Sequence, residues 1–193
     1  MKILQIAPQV PYPPEDGGKV GIFNITKHLA GRGHEITLFA FDRTPGAEYA
    51  PLREYCTLHA YPHSTRDTPG GALLNIFSDL PYNISKYRSP EFLNLLVNFA
   101  QLHPVDVVHV DHLHMAEYGV SLKHRFGLPV VLREHNVESI IMERFADHAA
   151  NLLMKTYARM QQERLSRYES RMVGLFDACC PITPDDAGKI RDL

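Results

Sequence analysis

The sequence predicts a three-layer α/β/α domain of Rossmann-like type around a mostly parallel sheet, and three observations carry that prediction. Short apolar runs at Lys2–Ala7, Ile36–Phe41 and Val105–Val110 read as buried strands. Segments with apolar residues at helical spacing separate them. Glycine and proline punctuate the joins in the manner of β-α-β units rather than hairpins. With 193 residues, 45% hydrophobic and 22% charged, the chain can bury one sizeable core, and we read residues 1–193 as one domain.

The first strand, Lys2-Ile3-Leu4-Gln5-Ile6-Ala7, is ended by Pro8, Pro11, Pro13 and Pro14 and by a loop that closes at Gly17-Gly18. From Val20 the residues Ile22, Phe23, Ile25, Leu29 and Ala30 follow helical spacing, and Gly31 and Gly33 stop the helix. Ile36–Phe41 is the second strand and Thr57–Tyr61 the third. A loop through Gly71 leads to helices over Ala72–Leu80 and Glu91–Leu102. The alternation then resumes with a strand at Val105–Val110, a helix at Met115–Phe126, a strand at Pro129–Arg133 and a last strand at Phe176–Ile182, with a helix beginning near Pro184. Between the last two strands runs a long helix, Asn151 to Val173, with Leu153, Tyr157, Met160, Tyr168 and Met172 as its apolar stripe. The end at Arg191-Asp192-Leu193 follows only a few helical residues and reads as a fragment of something longer.

A net charge of −2 argues against nucleic acid as a partner, since such surfaces need a strong cationic excess. Cys56, Cys179 and Cys180 are too few for a disulfide framework and fit a reducing cytoplasm. No stretch has the length and apolarity of a signal peptide or a membrane span.

Four places invite chemistry. Gly17 and Gly18 stand between a strand and a helix, where backbone N–H groups and the helix dipole attract anions; the same pair also suits a plain tight turn. His109, Asp111, His112 and His114 crowd the carboxyl end of a strand, the side on which open α/β sheets bind ligands. They are polar loop groups facing a cleft, or else the metal ligands of a hydrolase; strand alternation scatters neighbouring side chains, so we assign no metal. His135, with Asn136 beside it, follows the next strand, where an imidazole can donate to a hydroxyl or to developing charge, or the pair simply caps the helix that follows. Lys155, Arg159, Arg164, Arg167 and Arg171 on the long helix either meet anionic lipid headgroups or form its solvated face.

Taken in order, these segments resemble the N-terminal domain of glycosyltransferase family 4, the retaining GT-B-fold enzymes also called group 1. The residues that carry the resemblance are Lys2–Pro8 with Pro13-Pro14 and Gly17-Gly18, then Gly31-Arg32-Gly33-His34-Glu35-Ile36. Val107-Val108-His109-Val110-Asp111, Leu132-Arg133-Glu134-His135-Asn136 and Ile182-Thr183-Pro184-Asp185-Asp186 complete the set. The resemblance implies an acceptor-side half facing a donor-binding C-terminal domain that this chain lacks. It implies transfer of a sugar, with retention, from a nucleotide-sugar donor such as a UDP- or GDP-sugar to a carbohydrate or lipid-linked acceptor. No cofactor is implied, since the donor is a substrate. By position His135 becomes the catalytic residue, Gly17 and Gly18 contact the donor's phosphate or sugar, and His109, Asp111, His112, His114 and Asn136 face the acceptor. The setting implied is cytoplasmic, with peripheral contact at the inner face of a membrane as an option. A non-catalytic sugar- or nucleotide-binding module and the metal-dependent hydrolase remain the alternatives.

Overall fold

A computed structural model describes residues 1–45 and 47–192, so Leu193 lies outside the described residues. Six strands form one sheet in the order β3-β2-β1-β4-β5-β6, every neighbouring pair parallel. They are β1 (Lys2–Ala7), β2 (Glu35–Asp42), β3 (Thr57–Pro62), β4 (Val107–Asp111), β5 (Val130–Glu134) and β6 (Ala178–Pro181). The helices are α1 (Gly17–Gly31), α2 (Ala50–Arg53), α3 (Pro69–Asn75), α4 (Tyr82–Ser85), α5 (Pro90–Leu102), α6 (Ala116–Phe126), α7 (Glu138–Asp147), α8 (Leu152–Val173) and α9 (Pro184–Arg191). The order reverses between β1 and β4, and doubly wound sheets bind ligands in the crevice at such a reversal.

Period-two alternation splits the core into two layers. Leu4, Ile6, Phe39, Phe41, Val108 and Val110 pack with Phe92 of α5, Leu122 of α6 and Leu165 of α8. Ile3, Ala7, Ile36, Leu38 and Ala40 pack with Ile22 of α1 and Leu52 of α2. Each fully buried Leu or Ile contributes about 1.5–3 kcal/mol. The three-layer parallel architecture expected from the sequence is the one observed.

Several boundaries differ for identifiable reasons. Helix α1 begins at Gly17 because the Asp16 side chain caps it, accepting from the Lys19 N–H at 2.8 Å. Gly17 and Gly18 therefore form its first turn rather than the end of a loop. The single helix expected over Ala72–Leu80 is instead α3, capped by the Thr68 hydroxyl, and a separate α4 after Pro81. On α8 the buried face is Ala158, Gln161, Leu165, Tyr168, Glu169 and Met172, whereas Leu153 of the expected stripe is 83% exposed. The first turns of α8 run beside α7, to which Arg159 is tied through Glu143 and Asp147, and they miss the sheet.

Candidate functional site

The site grows from one face of β1, β4 and β5. Register pairs Gln5 with His109 and Asp111 with Arg133, so alternation brings Gln5, His109, Asp111 and Arg133 to the α1 side of the sheet. There Thr26 of α1 donates through Oγ1 to Gln5 Oε1 at 2.8 Å, and Gln5 Nε2 donates to Asp111 Oδ2 at 2.7 Å. Arg133 Nη1 donates to Asp111 Oδ1 at 2.9 Å, and His109 Nε2 lies 3.8 Å from the same oxygen. Burial alone would raise the Asp111 pKa, yet His109, Gln5 and Arg133 together pull it below its ordinary value. The chain of bonds continues to His135, whose Nε2 contacts Arg133 Nη1.

Just beyond β4 the backbone turns at His112 with φ 68° and ψ 143°, a left-handed conformation that costs a non-glycine residue roughly 1–3 kcal/mol. The His112 N–H is held by the Arg133 carbonyl at 2.9 Å. That turn lays the His112 ring flat on His135, centroids 3.8 Å apart and planes 8° from parallel. Burial, then neighbouring positive groups, push the imidazole pKa values down, to about 3 for His112, 4 for His114 and 4 for His135. All three rings are neutral near pH 7 and able to accept or donate a single hydrogen bond.

Helix α1 fits over this stack because it carries glycine where the rings approach. A Cβ at Gly21 would lie 2.5 Å from Arg133 Nη2 and 2.9 Å from His135 Cε1. One at Gly18 would lie 3.2 Å from Asp16 Oδ1 and 3.9 Å from His112 Nε2, whereas one at Gly17 would meet nothing within 4 Å. The N-terminus of α1, with its free N–H groups and positive dipole end, thus opens directly beside His112 and His135.

On the opposite face of β5, Glu134 is buried and neither of its oxygens finds a donor. Its neighbour is Glu169 of α8; burial first and that charge second hold Glu134 well above the usual carboxylate range, and the protonated acid can donate to Glu169. Glu169 in turn accepts from the N–H groups of Glu138 and Ser139 at 2.6 and 3.1 Å and from Ser139 Oγ at 2.5 Å. Val137, at the cap position of α7, supplies no side-chain bond, so Glu169 caps α7 from another helix. The capping role considered for His135 and Asn136 is filled elsewhere, and Asn136 is exposed.

The residues singled out from the sequence therefore divide. His112 and His135 meet Gly18 and Gly21 at the mouth of the β1/β4 crevice. His109 and Asp111 lie deeper, Asp111 fully buried as the anchor of Arg133. His112 and His114 converge with Glu138, not with His109 and Asp111. Gln5, Gly21, Thr26, Arg133 and Glu169 were missed, although a glutamine inside an apolar strand and a Gly18-x-x-Gly21 spacing at a helix start were visible signals. On α8, Arg159 and Arg164 are committed inside the molecule, Arg164 donating to the Asn75 and Ile76 carbonyls. Other concavities exist, including one of about 490 Å³ between Arg88, Glu117, Tyr118 and Met172, but they lack this concentration of buried charge.

The profile described as Glycosyltransferase Family 4 matches residues 16–192. The chain belongs to glycosyltransferase family 4. A comparison with curated protein sequences finds no significant match. Among solved structures it is similar to sucrose-phosphate synthase from Thermosynechococcus elongatus, with 12% identity and a TM-score of 0.64 over 100% of this chain and 45% of that one. It is also similar to Phytolacca americana UGT2 complexed with UDP-2fluoro-glucose and pterostilbene, with 11% identity and a TM-score of 0.50, covering 95% of this chain and 48% of that one. At such identities these likenesses speak to the fold, which is the Rossmann-like GT-B type expected for the family. The chain spans less than half the length of either protein. Among the described residues, no helix is long and apolar enough to cross a membrane.

Proposed function

We propose that this family 4 chain is the acceptor-side half of a glycosyltransferase whose donor, a UDP- or GDP-sugar, is held mainly by a further C-terminal domain. The observation that carries the reading is the meeting of His135 with the N-terminus of α1 over Gly21. It sets a neutral imidazole beside the first turn of α1, where the N–H groups of Gly17 and Gly18 precede the capped Lys19, at the sheet's switch point. The free N–H groups at Gly17 and Gly18 suit the diphosphate that departs in the transfer, and fixed dipoles aimed at developing charge are the strongest catalytic device available to a fold. His135 orients the transferred sugar and the acceptor hydroxyl, holding the reacting atoms close. Arg133, fixed by Asp111, positions the ring. His109, His112, His114 and Asn136 line the acceptor approach. The outcome we assign is retention, as the family resemblance implies.

The acceptor is a carbohydrate or a lipid-linked carbohydrate, and the reaction is placed in the cytoplasm. Support for a membrane-side acceptor comes from the α7–α8 turn, where Phe145, Leu152 and Leu153 are 54%, 80% and 83% exposed. Contact there would be apolar rather than through the basic face of α8.

The test expresses the natural reading frame containing this chain, as far as it runs, beside residues 1–193 alone, and measures nucleotide released from UDP- and GDP-sugars. Release by the longer form, reduced about a hundredfold or more by His135→Ala, is expected. Equal release by the His135→Ala variant would remove His135 from the chemistry, and release by residues 1–193 alone would end the two-domain reading.

A further inference from the structure

A cavity of about 710 Å³ opens at the carboxyl ends of β2 and β3, lined by Asp42, Arg43, Thr44, His63, Ser64 and Arg66. Small-molecule sites run from about 300 to 1,000 Å³. Arg43 and Arg66 are exposed and take part in no ion pair among the described residues. A third cation, Lys86, stands beside them, because His63 donates its Nε2–H to the Lys86 carbonyl at 3.0 Å.

Two carboxylates face these three cations. Asp42 is buried, and its Oδ1 accepts from the Thr44 N–H at 2.8 Å and from Tyr49 Oη at 2.7 Å. Asp67 pairs with Lys86 at 2.7 Å, but its side chain is 75% exposed. An exposed pair of this kind contributes about 0–1 kcal/mol, so an incoming anion readily takes the place of Asp67. The cavity has a positive surplus with Asp67 in place and a larger one once Asp67 swings away. We propose that it is the subsite for a phosphate group carried by the acceptor, which makes the acceptor a phosphorylated sugar rather than a neutral one. A guanidinium offers planar, paired donors that match phosphate oxygens, and an ammonium adds a point charge. Arg43 uses Nη2 to donate to Tyr87 Oη at 3.1 Å, which sets the direction of its fork and leaves its other donors free.

The inference rests on the acceptor-side reading above, and a wall of rings joins the two places. His112 stacks on His135, and the His114 ring lies 6.2 Å from His112 and 4.7 Å from Tyr87, centroid to centroid. Burial, then Lys86 and Arg43, lower the His114 pKa, so both cations act on that same ring. A sugar lying along His114 and Tyr87 has a hydroxyl toward His135 and its phosphate toward Arg43. Two kinds of acceptor supply such a group: a soluble sugar phosphate, and a sugar joined to a lipid through a diphosphate.

Calorimetric titration of residues 1–193, with no donor present, compares glucose 1-phosphate, farnesyl diphospho-glucose in detergent, glucuronate and glucose. At least one phosphorylated probe should bind about tenfold or more tightly than glucose, and the better of the two names the source. Arg43→Gln and Arg66→Gln should each weaken that binding about tenfold, the loss of one hydrogen bond to a charged group. Arg125→Gln, at an exposed cation of α6, should leave it unchanged. Native-strength binding in the variant carrying both Arg43→Gln and Arg66→Gln overturns the proposal, since it puts the phosphate elsewhere. Glucose or glucuronate binding as tightly as the phosphorylated probes overturns it too, as does the absence of binding by either phosphorylated probe. Both arginines are exposed, and thermal unfolding matched to the native protein establishes that the variants are folded. Failure of the transfer reading looks different: phosphate binding through Arg43 and Arg66, with no nucleotide released by the longer form, keeps the subsite and removes the reaction.

Discussion

The two edges of one sheet treat charge in opposite ways. At the amino edge Lys2 Nζ lies 3.9 Å from Glu35 Oε2 with the side chains 48% and 70% exposed, and the Lys2 N–H donates to exposed Asp106 at 2.6 Å. Water solvates these groups, and their pairing matters little. At the carboxyl edge of the same sheet Asp111, Arg133 and Glu134 are buried, and His112 takes up a strained backbone. Buried charge and strain both oppose folding. A sheet that spreads such costs evenly would be hard to interpret; one that gathers them where α/β sheets bind ligands marks that edge as the candidate site.

The largest test of that contrast is removal of a buried anchor. Asp111→Asn leaves Arg133 buried without its counter-ion and should destabilise the protein by about 3–5 kcal/mol in urea unfolding. Asp106→Asn at the other edge should cost no more than about 1 kcal/mol. Acid comes next. His112, His114 and His135 have folded pKa values far below the unfolded one of about 6.5, so the unfolded chain binds more protons below that pH. Their contribution is whole above pH 6.5 and is lost as pH falls toward the folded values. Stability should drop by about 2 kcal/mol or more between pH 6.5 and 4.5, and replacing His112 and His114 together with Gln should flatten that slope.

A smaller effect separates the glycines of α1. Gly21→Ala drives a methyl into Arg133 and His135, and we expect a loss of about 1–2 kcal/mol even after the helix-propensity gain of about 1 kcal/mol. Gly17→Ala meets open space and should be neutral or slightly stabilising. The smallest difference is at Glu134. Its folded pKa is raised, so the protein gives up stability as pH climbs above the unfolded carboxylate value of about 4.5. Glu134→Gln supplies Glu169 with a permanent donor and should raise stability at pH 8 by roughly 1 kcal/mol, while Glu35→Gln changes nothing measurable.

Local signals made most of the frame legible. Apolar runs located all six strands within a few residues, and the Gly31 to Gly33 turn was recognisable, Gly33 taking φ 81°. The placement of His135 at the carboxyl edge of the sheet was legible because it stands just past a buried strand. The face it shares was less accessible. Gln5, Thr26 and Asp111 are joined by contacts between residues 21 and 106 positions apart, and Gly21 is explained only by the side chains of Arg133 and His135. Helix α7 was given no bounds, and its cap was looked for at His135 and Asn136, because the group that caps it is Glu169, thirty-one residues away. The stripe of α8 was misplaced because Leu153 and Tyr157 obey helical periodicity on turns that leave the sheet behind. Periodicity tells which residues share a face, and only the packing partner tells whether that face is covered.

The measurement that tests the central claim most directly is a ¹H–¹⁵N shift map of this protein during titration with UDP-glucose and GDP-mannose. Perturbation centred on the amides of Gly17, Gly18 and Gly21 and on His112 and His135 is the predicted result. Shifts confined to the amino edge, in the cleft of about 340 Å³ lined by Glu35, His59 and His103, would contradict it.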